Sequence, residues 1–459
     1  MRTMRFFRGV ITAALVVILI SCSGTSSFQA TSNGGLQGTV AVIGFDAPLA
    51  SVVSFKVTLM GITATDGTTT VNLLTTQQDV DFARLSGLKT LLDFNSVAAG
   101  NYTSATVMLA NPMIRFLDVT TTPPSISTLP GMLQTSSVTV ALNPPLSVTS
   151  NGQVALLVDF NLRKSLELDA TGMLTGKVTP TLRLKAISPD ALEADIDDLR
   201  GGVVSVDTAA GSFVMQIPNG RTLTVTTDAN TEFEQGEGLS TFNTNTIVQV
   251  EGQLDRSTLT LHADEVRVIS MDRFFVGGLI TDVRPATGQA NMMDVFVRDE
   301  LPAVQSFAPG SIGTFTFDGN EQFFIARLRL PIALFLFNRS ALVRGQNVTL
   351  GGNLNTTPPD LKRVVLQHQG VEGSWIPGST MSQGGNQGTF QINAGGLVGV
   401  VFNGPLTVLT SGLTRFIGLN GLSDLSGTQP ISLRIVGLVL KDQVSGNPDI
   451  VARKVELMQ

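Results

Sequence analysis

The sequence predicts an all-β protein: an N-terminal β-sandwich followed by about three small β-barrel repeats. Two observations carry this expectation. Short stretches alternate apolar and polar residues between Gly, Asn, Asp or Pro, as in Val138-Thr139-Val140-Ala141-Leu142 and Val248-Gln249-Val250-Glu251. Thr39-Val40-Ala41-Val42, Leu182-Arg183-Leu184-Lys185 and Leu259-Thr260-Leu261-His262 read the same way. The second half also repeats one strand pattern, apolar-x-apolar-x-Gly, three times.

The first residues are an address. Arg2, Arg5 and Arg8 precede an apolar run from Gly9 to Ile20. That run is too short for a bilayer core, which takes about 20 helical residues, and suits the hydrophobic part of a secretory signal. Leu19-Ile20-Ser21-Cys22 follows, and Cys22 is the only cysteine of 459 residues. In an oxidising compartment a structural disulfide needs a partner this chain lacks. The tetrapeptide resembles the lipobox of bacterial lipoproteins. That resemblance implies cleavage between Ser21 and Cys22 and a lipid on Cys22, with Ser23 permitting passage to the outer membrane of a Gram-negative cell. Residues 22–35, rich in Ser, Thr, Gly and Asn, read as a flexible tether.

Without residues 1–21, which hold three of the 30 basic residues and no acid, the net charge falls from −6 to about −9. Nucleic acid is excluded as a partner, because it demands a basic face. The expected partners are the membrane, through Cys22, and an envelope protein.

Residues 36–187 form the sandwich unit. It contains Asp46-Ala47-Pro48, Ala99-Gly100-Asn101-Tyr102, Val158-Asp159-Phe160 and Pro180-Thr181-Leu182-Arg183. These motifs, in this order, resemble an uncharacterised family of bacterial and archaeal lipoprotein domains, which has no assigned activity. Residues 188–200 predict an acidic helical linker: Ser188 can cap, Pro189 suits the first turn, Gly201 suits the stop, and Leu192, Ile196 and Leu199 share a helical face.

The repeats are expected over 201–271, 272–370 and 371–459. Their shared strand is Val248-Gln249-Val250-Glu251-Gly252, Val348-Thr349-Leu350-Gly351-Gly352 and Leu433-Arg434-Ile435-Val436-Gly437. Each copy has an aromatic strand end before it, at Phe233, Phe323 or Phe416, and a closing strand after it, at Val266-Arg267-Val268, Val364-Val365-Leu366 or Val455-Glu456-Leu457. The first copy adds Val203-Val204-Ser205-Val206 and Phe213-Val214-Met215-Gln216-Ile217. Three strands, a loop or short helix, then two strands is the order of an OB-like barrel. The first copy resembles a second uncharacterised family, of repeated bacterial envelope domains.

The second copy is longer between its aromatic and its shared strand: 25 residues from Phe323 to Val348, against 15 from Phe233 to Val248. The excess carries Leu328, Leu330, Ile332, Leu334, Phe335, Leu336 and Phe337. A loop this apolar is expected either to plug a barrel or pack on a neighbouring domain, or to contact a partner or the membrane surface.

No site chemistry stands out. His262 and His368 are the only histidines, and no Gly-x-Ser-x-Gly elbow accompanies them, so both are expected to be surface or strand residues. There is no zinc pattern, P-loop or dinucleotide fingerprint, and no cofactor is expected. Asp190, Glu193, Asp195, Asp197 and Asp198 form one acidic cluster without a calcium-loop pattern, expected as a solvated helix face. One Trp and one Tyr disfavour a sugar-stacking surface. The expected function is a non-enzymatic, lipid-anchored envelope scaffold or interaction surface. The alternatives are a small-ligand, glycan or ion-binding module at a domain junction, and a hydrolase with dispersed carboxylates.

Overall fold

The computed structural model describes residues 36–47, 52–85, 88–118, 125–170, 173–191, 194–233, 237–255, 257–272, 274–301, 307–325, 336–354, 356–394, 405–442 and 448–458. Ser21, Cys22 and the tether lie outside the described residues. The fold is all-β, a two-sheet sandwich followed by three OB-like units. Among the described residues no helix is long and apolar enough to cross a membrane.

One sandwich sheet holds β1 (Gln37–Ala47), β2 (Thr90–Ala98), β3 (Gln153–Asn161) and β4 (Leu182–Ile187), in the order β4-β3-β1-β2. β1 and β3 run parallel. The facing sheet is built on the antiparallel pair Val52–Thr65 and Gly100–Asp118. Phe55, Phe82 and Phe160 meet between the sheets, with ring centroids 5.1 and 5.0 Å apart. β1 departs from the expected half-exposed alternation. Val40 and Val42 enter the sandwich core, while Ala41 and Ile43 enter the core of the next domain. Its sheet is covered on both faces, so both sides of the strand are apolar.

The first barrel runs β5 (Ile196–Asp207), β6 (Ser212–Gln216), β7 (Thr222–Thr226), β8 (Glu232–Phe233), β9 (Ile247–Leu254) and β10 (Leu261–Ser270). The second runs β11 (Phe275–Arg284), β12 (Met292–Leu301), β13 (Ile312–Thr316), β14 (Gln322–Ile325), β15 (Asn347–Asn353) and β16 (Asp360–Leu366). The third runs β17 (Gln369–Trp375), β18 (Gln387–Ala394), β19 (Leu406–Thr410), β20 (Arg415–Ile417), β21 (Ser432–Lys441) and β22 (Pro448–Leu457). In each, the first strand pairs antiparallel with the second and with the shared strand. The cylinder closes by a parallel pairing of third and last strands in the first barrel (Val225 opposite Leu261) and the third (Val408 opposite Ile450). In the second, the parallel partner of β16 is β14.

The aromatic positions seen in sequence occupy one structural place. Phe233, Phe323 and Phe416 lie opposite Val266, Val364 and Val455 of the closing strands. The shared glycine has a common cause too. At Gly252, Gly352 and Gly437 the shared strand is bulged, and a Cβ would overlap the carbonyl oxygen of His262, Asp360 or Val451 on the closing strand.

Where the expected acidic helix over 188–200 is described, it is a turn followed by a strand; Leu192 and Glu193 lie outside the described residues. The Ser188 carbonyl accepts from the Ala191 amide (3.0 Å), the Ala191 carbonyl from Ala194 (2.7 Å), and β5 begins at Ile196. The helical spacing of Ile196 and Leu199 has another origin. A bulge between them in the pairing with β9 turns both into the barrel core, where a regular strand would put them on opposite faces. Gly201 is not a helix stop; it sits in β5 opposite Val248, where a Cβ would strike the Gln216 carbonyl.

Candidate functional site at the domain junction

The domains share cores. Val53 of the sandwich packs on Leu279 and Phe296 of the second barrel, and Leu438, Leu440 and Val451 of the third barrel enter the core of the second. Buried ions reinforce these contacts. Arg84 of the sandwich reaches Asp198 of β5 (3.0 Å) and Asp299 of β12 (3.4 Å). Arg200 of β5 spans the same two acids at 2.8 and 2.9 Å. At a second junction Arg453 of β22 holds Glu251 of β9 (3.0 Å) and Asp197 of β5 (2.8 Å). Arg267 of β10 donates to Glu265 (2.5 Å) and to Gln367 (3.3 Å), which lies between β16 and β17.

The acidic cluster is therefore only in part a solvated face: Asp190 is exposed, Glu193 lies outside the described residues, and the other three acids are drawn into the junctions. Asp197 and Asp198 are 4% and 1% exposed, and Asp195 pairs with Arg415 at 3.0 Å. Burial pushes the Asp197 carboxyl up, yet Arg453, Lys454 and Lys89 together hold it below its ordinary value. His368 is no surface residue either. It is buried at the junction, with Nδ1 3.7 Å from Glu251. Burial lowers its pKa, and Glu251 opposes this without reversing it. His262 is an exposed strand residue, 3.7 Å from Asp228. Among the described residues no group of three His, Cys, Asp or Glu side chains is placed to hold a metal.

Around Arg453 a cavity of about 780 Å³ opens between the sandwich, the first barrel and the third. Its floor is the outer face of the β4-β3-β1 sheet. Phe45, Asp159 and Arg183 form one cross-strand row there, and Leu157 and Lys185 form the next. Asp195, Asp197, Glu251 and Asp264 come from the first barrel; Arg415, Ile417, Arg434, Lys454, Glu456 and Met458 come from the third. Burial pushes Asp159 up to about 6, and Arg434 and Arg183 only partly oppose it. Its Oδ1 is buried without a hydrogen-bond partner. Burial likewise pushes Lys454 down to about 8, against the pull of Asp197 and with the push of Lys89.

None of these cavity residues was picked out as a site from sequence. One signal was present. Two residues before the closing valines Val266, Val364 and Val455, the repeats carry Asp264, Lys362 and Arg453. Of the three, Arg453 binds Asp197 and Glu251 of the first barrel, whereas Lys362 is exposed beside Asp360.

The apolar insertion of the second barrel is described only at its end. Phe337 is buried in that barrel's core, edge-on to Phe323 at 5.7 Å, while Leu336 is 71% exposed. Leu328, Leu330, Ile332, Leu334 and Phe335 lie outside the described residues. Trp375 and Tyr102 are both buried, their polar atoms donating to Thr380 Oγ1 (3.1 Å) and the Ala98 carbonyl (2.7 Å), so neither offers a face for a sugar ring.

No curated protein and no solved structure matches the chain. Residues 37–175 match the family described as Domain of unknown function (DUF4382), and residues 200–267 match the one described as Domain of unknown function (DUF5666). Over its sandwich and first barrel, the chain is thus similar to two domain families without an assigned activity.

Proposed function

We propose that the protein is a non-enzymatic scaffold of the bacterial cell envelope, tethered by lipid on Cys22 and presenting its β domains as one fixed interaction surface. The supporting observation is the pair of buried ionic junctions. Arg84, Arg200 and Arg453 each bind acids in other elements, and five of these links cross domain boundaries. Breaking such a pair strands a buried charge, which resists domain motion. The carboxylates near the cavity are largely committed to arginines: Asp195 to Arg415, Asp197 and Glu251 to Arg453. Committed carboxylates favour a binding or structural role over the dispersed-acid hydrolase.

Replacing Cys22 with Ala is expected to abolish incorporation of a labelled fatty acid and release the chain from the membrane fraction. A Cys22→Ala protein that is processed normally and stays with the membrane overturns the anchor. The scaffold role is tested by photo-crosslinking of the tethered protein in its native envelope. Reproducible neighbours, absent with an unrelated tethered β domain, are expected; their absence overturns the role. A second reading, a small-ligand module at a domain junction, is favoured by the cavity.

A further inference from the structure

We propose that the junction cavity binds a small organic oxyanion, a carboxylate or phosphate on an apolar body, with its charged end between Lys89 and Lys454. Charge accounting around the cavity carries this. Arg415, Arg453 and Arg434 each have an acidic partner, the last in Glu372 at 3.3 Å. Lys185 and Asp264 also have partners. Among the described residues the side chains of Lys89, Lys454 and Arg183 line the cavity and make no hydrogen bond and no ion pair; Arg183 is exposed to water, whereas the two lysines are half-buried. Two unpaired ammonium groups in one recess repel each other and are poorly hydrated, an arrangement that an anion relieves. The unpaired acid nearby is Asp159, on the floor, and burial keeps its carboxyl partly protonated near neutral pH.

Size and polarity define the rest of the ligand. A volume of about 780 Å³ lies within the range of small-molecule pockets, roughly 300–1,000 Å³. Phe45, Leu157, Ile417 and Met458 supply an apolar wall. A bare inorganic ion would leave that wall wet, whereas a ring or short chain would cover it. Lys454 also faces Asp197 and Arg453, with Glu456 on its own strand, so an incoming anion meets a field already tilted to the positive by the two lysines. The inference stands apart from the scaffold reading, and neither fails with the other.

Titration calorimetry on the purified full-length protein tests it with phenyl phosphate and phenylacetate, against benzyl alcohol and inorganic phosphate. One of the two aromatic anions is expected to bind at one site, at least about tenfold tighter than benzyl alcohol or inorganic phosphate. Which anion wins separates a phosphate ligand from a carboxylate. Near pH 8, where Lys454 is about half neutral without ligand, binding should take up a fraction of a proton, seen as a dependence of the heat on buffer ionisation. Lys454→Met and Lys89→Met should each weaken binding about tenfold or more. Should Lys454→Met fail to fold, Lys89→Met and the proton uptake of the wild type still decide. Failure of both aromatic anions to bind, binding without proton uptake, or binding unchanged in a folded lysine variant overturns the proposal.

Discussion

At the residue scale, Asp159 shows how a single side chain couples the cavity to stability. It lies in a strand that is otherwise apolar, is 9% exposed, and titrates near 6 instead of 3.8. The fold thus binds this proton more tightly than the unfolded chain does. The stability it confers is present below pH 3.8 and is lost as pH rises through 6. The displacement corresponds to about 3 kcal/mol. Asp159→Asn removes the ionisation, so its stability relative to wild type should improve between acid and neutral pH by an amount of that order. Urea melts of both proteins at pH about 4 and about 7 measure this; equal pH dependence in the two would show that Asp159 does not carry it. Asp46, wholly buried and also raised well above its usual value, is pushed up first by burial and then by the Asp159 charge, so Asp159→Asn relieves part of that shift as well and adds to the same difference. Sequence showed that Asp159 interrupts an apolar strand. It could not show that Arg183 lies beside it or that its Oδ1 would lack a partner, since the first depends on strand register and the second on domain packing.

At the element scale, the repeat was legible because each copy must solve the same geometric problem. Its shared strand crosses the closing strand so tightly at Gly252, Gly352 and Gly437 that no side chain fits. Gly437→Ala is expected to lower stability by about 1–3 kcal/mol through overpacking against the Val451 carbonyl. Gly427→Ala, where nothing lies within reach of a Cβ, should change it little. Thermal melts compare the two, and an equal effect would remove the close approach as the cause. The linker 188–200 was misread for a reason of the same kind. A β-bulge brought two apolar residues three apart onto one face, which is the signature of a helix when pairing is invisible. Asp197 and Asp198 looked solvated because Arg84 and Arg453, which bury them, lie over 100 positions away in each direction, and only Arg200 beside Asp198 is local.

At the scale of the whole molecule, the domains are expected to unfold together. Arg453→Met leaves Glu251 and Asp197 buried without their main cation, at a cost of about 3–5 kcal/mol. Lys362→Met, at the same repeat position in the second barrel, removes an exposed, solvent-screened pair with Asp360 and should leave stability almost unchanged. Calorimetry should show one transition for the wild type and a separate, earlier one for the third barrel in Arg453→Met. A wild-type profile already split into independent transitions would overturn the fixed assembly.

Sequence alone was enough for the all-β class, the repeat with its aromatic and glycine positions, and the expectation of a lipid anchor at Cys22. These depend on local periodicity, on turn chemistry, or on a short motif. The both-face burial of β1, the strand at 196–207, the buried arginine junctions and the cavity were decided only by the tertiary structure. Each depends on which surfaces meet, and a charged or apolar residue declares no partner until packing removes its water.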